Sequence, residues 1–175
     1  MMKKDSFGSF TWKVISLHMI TYMIFGMIFS TFFSYEQLYK TGALSNLMKD
    51  FSSPWIYAGP SLQMIRGFLF SLVLWPLYDF IFSRPDGWIK LWLLFIGFAI
   101  LGTAGPSPGS FEGVIYTQLS IKEHLVGLPE TVLQTLTFSF CLQYWTNHPK
   151  KSFFIISVIG VILIFLMSIA ALTAK

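Results

Sequence analysis

The sequence FFIISVIGVILIFLMSIAALT occupies residues 153–173 and contains no charged side chain. An α-helix rises about 1.5 Å per residue, so about 20 apolar residues are needed to cross the roughly 30 Å hydrocarbon core of a bilayer. A run of this length and composition therefore predicts a transmembrane helix. Only Ser157, Gly160 and Ser168 interrupt its aliphatic and aromatic side chains, so we expect it to face lipid or a partner subunit.

Four other segments approach the same length and apolar character: residues 14–33, 61–82, 88–104 and 128–145. Hydrophobic residues make up 54% of the 175-residue chain and charged residues only 11%, whereas soluble domains carry about 25% charged residues. The sequence therefore predicts an all-α protein, a single integral membrane domain over residues 1–175 with five transmembrane helices.

The first apolar segment follows Lys3 and Lys4, an arrangement that also occurs in signal peptides. Its apolar run is longer than that of a signal peptide, and no small-x-small cleavage site follows it. We interpret it as a retained transmembrane helix.

The basic residues beside the segments predict the orientation, because cytoplasmic loops are enriched in Lys and Arg. With five spans, one side of the membrane holds three basic groups: Lys3, Lys4, Lys13, Arg84, Lys90, Lys150 and Lys151. The other side holds Lys40, Lys49, Lys122 and Lys175, mixed with four acidic residues. We therefore expect a cytoplasmic N-terminus and an outer C-terminus.

Several classes of function are disfavoured by composition. Cys141 is the one cysteine, so the chain has no internal disulfide and no CxxC metal site. No run of Lys and Arg is longer than two residues, which argues against nucleic-acid binding. The three histidines are far apart in sequence, and we predict neither a bound metal nor a cofactor.

The first outer loop, residues 34–60, contains Leu44, Leu47, Met48 and Phe51 at i, i+3, i+4 and i+7 spacing. This pattern is typical of an amphipathic helix, here one lying on the outer membrane surface. An ordinary lid packed over the helix bundle is an equally good interpretation.

The second outer loop contains three glycines and two prolines in residues 105–113, which exclude regular helix there. Ser120 and Glu123 then have the spacing of a capping box, which predicts a short surface helix ending near Gly127. Pro129 and Glu130 suit the first turn of the next transmembrane helix. Residues 105–120 are a candidate cavity lining, with a plain exposed loop as the alternative.

Arg66 lies inside the second apolar segment, where a charge is costly without a partner. Glu130 lies at comparable depth on the fourth segment, so we predict an Arg66–Glu130 pair, with Glu112 or Glu123 as competing partners. A stripe on one face of the fourth helix leads down from Glu130: Gly127, Glu130, Gln134, Thr137 and Cys141. The stripe fits either interhelical hydrogen bonding or a polar path from the outer surface.

His124 is the histidine beside this predicted outer cluster. It could act as an acid, a base or a ligand, but no catalytic motif accompanies it, and we expect an exposed, ordinary histidine. We assign no catalytic residue. The candidate ligand-binding or intramembrane polar cluster consists of Arg66, Glu112, Glu123, His124, Glu130 and Gln134.

Three functional hypotheses follow from this cluster. The first is a small transport or solute-binding protein, or a transport accessory, with an outward-facing polar site. The second is a structural or regulatory membrane subunit without chemistry. The third is a membrane-embedded enzyme acting at the outer interface. The expected partners are the lipid bilayer, a small-molecule ligand of unknown identity, and a second copy or another membrane subunit, with no nucleic acid. The expected location is a bacterial cytoplasmic membrane.

Overall fold

The computed structural model describes residues 5–41, 43–102 and 105–174, and these residues form helices and turns without a β-strand. Nine α-helices follow one another along the described chain, with a short 3-10 helix at Ala43–Asn46 between the second and third: α1 (Phe7–Phe32), α2 (Tyr35–Lys40), α3 (Pro54–Leu74), α4 (Tyr78–Phe82), α5 (Gly87–Ile100), α6 (Phe111–Tyr116), α7 (Ile121–Val126), α8 (Leu128–Asn147) and α9 (Lys151–Thr173).

Three helical stretches are long and apolar enough to cross a membrane: α1, the α7–α8 run Ile121–Asn147, and α9. Helix α5 is apolar but has only 14 residues. Helix α3 has 21 residues, yet its Gln63 and Arg66, together with its prolines and serines, make it less apolar. The described residues are therefore all-helical, with three helical stretches that are candidate membrane spans.

Among the five predicted transmembrane segments, the second differs most from the helices in the structure. Residues 61–82 form two helices, because α3 begins already at Pro54 and ends at Leu74, and α4 follows after Pro76. Proline has no backbone N–H and its ring clashes with the carbonyl group of the preceding turn, which explains a break at this position.

Helix α1 lies at the centre of the bundle, where it contacts α3, α8 and α9. A Cβ on Gly67 of α3 would lie 2.8 Å from Ile15 Cα, and Thr11 of α1 donates to Ser71 of α3 over 3.1 Å. Because residue numbers rise along one helix as they fall along the other, α1 and α3 are antiparallel. Because Gly67 has no side chain, the backbones of the two helices can approach closely.

The main hydrophobic core lies where α1, α5 and α9 begin and α8 ends, which we call the basic end. Its buried side chains come from five helices: Phe10, Val14, Leu74, Tyr78, Ile81, Phe82, Leu91, Phe138 and Leu142. The opposite end, where α3 and α8 begin and α1 and α9 end, we call the pocket end.

A buried ion pair lies beside this core. Lys13 Nζ lies 2.7 Å from Asp5 Oδ2, and the two side chains are only 5% and 16% exposed. The Lys13 ammonium also lies 5.9 Å from the centre of the Trp145 ring. Lys13 is therefore a buried, paired residue rather than a free loop charge.

Most polar side chains buried in α1 find their partners within α1 or just before it. Ser16 donates to the Trp12 carbonyl over 2.7 Å, and Thr21 donates to the Leu17 carbonyl over 2.8 Å. The bonds of Ser16 and Thr21 to the preceding turn of α1 satisfy their hydroxyl groups without another helix. His18 instead reaches α3, where its Nε2 lies 3.1 Å from Gln63 Oε1.

The turn before α5 is fixed by α8. Gln143 Nε2 donates to the Arg84 carbonyl over 2.7 Å, and Gly87 lies so close to α4 that a Cβ there would be 1.8 Å from the Ile81 carbonyl oxygen. Only glycine fits this contact. The turn residues predicted at 83–87 are therefore held by the core as well as by local turn chemistry.

The loop between α1 and α3 and the loop between α5 and α8 correct two expectations. Residues 44–51 do not form an amphipathic α-helix; they contain the end of the 3-10 helix Ala43–Asn46 and then turns. The helix in that loop is α2, which lies before the residues that carry the predicted spacing. In the second loop, α6 begins at Phe111, because the Ser110 hydroxyl accepts a hydrogen bond from the Gly113 N–H and caps it.

The predicted short helix and break before the fourth segment are confirmed. Ser120 and Glu123 form a capping box at the start of α7. The helix ends at Val126, Gly127 follows, and α8 begins at Leu128 with Pro129 and Glu130 in its first turn.

Candidate functional site

A cavity of about 500 Å³ opens at the pocket end, between α1, α2, α3, α8 and α9. Its size falls within the roughly 300–1,000 Å³ typical of small-molecule sites. Six aromatic rings line it, together with one acidic side chain, Glu130: the rings are Tyr22, Tyr35, Tyr39, Phe51, Trp55 and Tyr57. We call this cavity the aromatic pocket.

Glu130 is half-buried in the first turn of α8 and faces α1 across the pocket. Tyr35 Oη donates to Glu130 Oε2 over 2.8 Å. The second oxygen, Oε1, lies 3.8 Å from the place that a Cβ on Gly26 would occupy. The absence of a side chain on Gly26 therefore keeps space open beside this oxygen.

The turn between α1 and α2 brings Tyr35 to Glu130. Ser34 adopts the left-handed conformation, with φ 51° and ψ 52°, which non-glycine residues rarely adopt. This turn folds α2 back over the end of α1. Tyr35 and Tyr39 then stack with their ring centres 5.7 Å apart, and Tyr39 lies 5.3 Å from Phe51, so the three rings form one continuous wall.

The environment of the two tyrosines keeps them protonated. Burial is the largest cause that raises the pKa of Tyr35 far above its usual value, and the hydrogen bond to Glu130 is the second. Burial is also the largest cause that raises the pKa of Tyr39, and the charge of Glu130 is the second. At physiological pH the Tyr35 hydroxyl therefore remains a donor to the carboxylate.

The predicted Arg66–Glu130 pair is not formed. The structure gives no ion pair between Arg66 and any acidic side chain of the described residues, and the guanidinium carbon instead lies 5.3 Å from the centre of the Phe70 ring. The prediction failed because α3 begins at Pro54, which moves Arg66 to the middle of the helix. Arg66 is exposed on the bundle surface and does not line the aromatic pocket.

The other two glutamates of the predicted cluster lie outside the pocket. Glu123 Oε2 accepts hydrogen bonds from the backbone N–H and the hydroxyl of Ser120, both over 2.7 Å. Glu112 is exposed in the first turn of α6. Each lies near a helix N-terminus, where the helix dipole stabilises a negative charge, so their placement has a structural explanation.

His124 is buried, with only 2% of its surface exposed, which corrects the expectation of an exposed histidine. The Gly109 N–H donates to its Nδ1 over 3.1 Å, so the ring proton lies on Nε2, which is 3.3 Å from Thr117 Oγ1. The Thr117 hydroxyl in turn donates to the Gly113 carbonyl over 2.7 Å. His124 thus ties the 107–117 segment to α7.

Gln134 lies one turn after Glu130 on α8 and is half-buried. Thr137 and Cys141, further along the predicted stripe, are also half-buried, whereas the buried face of α8 comprises Phe138, Ser139, Leu142, Gln143 and Trp145. Cys141 borders a second, apolar cavity of about 210 Å³ between α1, α8 and α9. The stripe therefore runs along one side of the buried face.

Of the six predicted residues, Glu130 alone lines the aromatic pocket. The aromatic side chains were missed, because they come from four separate parts of the chain. Among the described residues, no three His, Cys, Asp or Glu side chains converge as metal ligands do.

Comparisons with protein-family models, with curated proteins and with solved structures find no match for this chain.

Proposed function

We propose that all five long helices cross a cell membrane, with the basic end in the cytoplasm and the aromatic pocket at the outer face. The support is the antiparallel packing of α3 on α1 and of α5 on α8. Trp92 of α5 donates to the Val132 carbonyl, while Trp88 contacts Phe140 of α8. Basic residues beside the helix ends support the orientation, in a bacterial cytoplasmic membrane.

Single cysteines in a Cys141→Ala background test this topology. A membrane-impermeant maleimide added to intact cells should label Lys40→Cys but not Ser83→Cys or Lys150→Cys, all three of which are exposed positions. After permeabilisation, all three should react equally. If Ser83→Cys reacts together with Lys40→Cys in intact cells, α3 and α5 do not cross. Labelling of Ser83→Cys and Lys150→Cys, but not of Lys40→Cys, would reverse the orientation.

We infer further that the chain is a small solute-binding membrane protein, acting in transport or as a transport accessory. The observation that carries this proposal is the half-buried carboxylate of Glu130 in a 500 Å³ pocket. A purely structural role would be served better by a filled space, because unfilled volume in a packed interior costs stability.

Gly26→Leu should abolish solute binding while leaving the fold intact. A Cβ at this position meets nothing closer than Glu130 Oε1 at 3.8 Å, and the longer leucine side chain would extend into the pocket. Binding is measured as the rise in unfolding temperature of the detergent-purified protein over a panel of small cationic, neutral and anionic solutes. We expect at least one solute to stabilise the parent protein and to have no effect on Gly26→Leu.

The matched control is Gly97→Leu, in the last turn of α5, where a Cβ meets no atom within 4 Å. It makes the same substitution away from the pocket, and it should retain the response of the parent protein. If no solute distinguishes Gly26→Leu from the parent protein, the pocket is not a binding site, and a structural or regulatory subunit becomes the better description.

A further inference from the structure

The charge of the aromatic pocket is unbalanced. Glu130 is the one charged side chain among the described residues that line the cavity. Its Oε2 accepts from Tyr35, but Oε1 receives no hydrogen bond from the described residues, and it is not among the atoms sealed from solvent. A half-buried carboxylate with a single hydroxyl partner is costly unless a positive group lies beside it. The described structure supplies no such group from the protein itself.

We propose that the aromatic pocket binds an organic cation, with an ammonium group lying against Glu130 Oε1 and the wall of Tyr35, Tyr39 and Phe51. This inference rests on the proposed function and names the class of solute.

The chemistry of the lining favours an organic over an inorganic cation. A metal ion such as Ca²⁺ requires about six to eight oxygen ligands, whereas the lining offers one carboxylate among aromatic rings, methionines and a few hydroxyls. The faces of aromatic rings attract alkylated ammonium groups through their quadrupoles. Trp55 and Tyr57 lie on the α3 side of the same cavity, so rings are available on more than one side of a bound cation.

The arrangement also disfavours an anion. Arg66, which the sequence suggested as an anion-binding residue, does not line the cavity. An anionic solute would meet the Glu130 carboxylate without a compensating cation from the described lining, and like charges at close range repel strongly in a half-buried site. The pocket should therefore discriminate between solutes of equal shape by their charge.

Three probes of nearly identical shape test this selectivity: choline, its neutral isostere 3,3-dimethylbutan-1-ol, and the anion 3,3-dimethylbutanoate. Binding to the full-length chain in detergent is measured by isothermal titration calorimetry. We expect choline to bind about tenfold or more tightly than the neutral isostere, since tenfold corresponds to one moderate charge interaction. The anion should not bind measurably.

Substitutions then locate the charge effect. Glu130→Gln should weaken choline binding about tenfold and leave the neutral isostere unchanged, and Tyr39→Leu should weaken choline more than the isostere. The controls are Glu36→Gln, which removes an exposed carboxylate of α2 at the same end of the molecule, and Tyr116→Leu, which removes an exposed ring. Both controls should bind choline as the parent protein does.

The outcomes separate this inference from the proposed function. If the isostere or the anion binds as well as choline, and Gly26→Leu abolishes that binding, the pocket is a solute site but not a cation site. If Glu130→Gln leaves choline binding unchanged, the carboxylate does not recognise the cation. If none of the three probes binds and the wider solute panel also fails, both proposals fall.

Discussion

Asp5→Ala should destabilise the folded protein by about 3–5 kcal/mol, the cost typical of leaving one partner of a buried ion pair without the other. Lys13 is only 4% exposed, and Asp5 is the acidic group that it contacts at 2.7 Å. Removing the carboxylate leaves the ammonium group buried beside Trp145 and the main core. Reversible unfolding in mixed micelles, followed by circular dichroism, measures the loss.

A double variant and an exposed pair serve as controls for this effect. Asp5→Ala combined with Lys13→Met should recover most of the lost stability, because the uncompensated charge is gone and methionine fills a similar volume. Glu36→Gln breaks the exposed Lys40–Glu36 pair, whose side chains are 52% and 61% exposed, and exposed pairs contribute only about 0–1 kcal/mol. An Asp5→Ala loss no larger than that of Glu36→Gln would mean that Lys13 reaches water in the folded state.

Gly87→Ala should also be strongly destabilising, by about 3 kcal/mol, which is the upper part of the usual range for overpacking. The added Cβ would lie 1.8 Å from the Ile81 carbonyl oxygen and 2.7 Å from Gln143 Oε1. The first contact is with backbone, so α4 and α5 must separate, and the Gln143 hydrogen bond to the Arg84 carbonyl is disturbed with them. The same unfolding measurement applies.

Gly97→Ala is the matched control for this substitution. No atom lies within 4 Å of a Cβ at Gly97, and glycine in a helix interior costs about 1 kcal/mol relative to alanine. The control should therefore be neutral or slightly stabilising. Equal effects at the two glycines would show that the close contact between Gly87 and Ile81 is not a feature of the folded protein.

The helical framework could be predicted from the sequence, because length and apolar character are properties of single segments. Residues 153–173 and 128–145 lie within α9 and α8, and the Ser120–Glu123 capping box forms as its spacing predicts. These features depend on neighbours a few residues apart. The full set of five membrane crossings stays a prediction, since α3 and α5 are less apolar or shorter.

The site was harder to predict, because it depends on where helices begin and on how turns direct them. Trp55 and Tyr57 were assigned to a loop, so α3 was started too late and Arg66 was placed too near its end. The backbone conformation of Ser34 carries Tyr35 to Glu130, and serine gives no sequence signal for it. A usable signal was the pair Tyr35 and Tyr39, four residues apart beside a carboxylate predicted to lie at the same membrane face.

The hydrogen bonds within α1 have a consequence for how the protein is made. This helix precedes its partners along the chain, yet it ends at the centre of the bundle. Lys13, Ser16 and Thr21 are already satisfied by Asp5 and by α1 carbonyl groups before another helix has been synthesised. The nascent segment can thus partition into the bilayer on its own, and helix association can follow as a second stage. His18 differs from these three side chains, because its hydrogen-bond partner Gln63 belongs to α3. Packing of α3 on α1 is therefore the step that gives His18 its hydrogen bond.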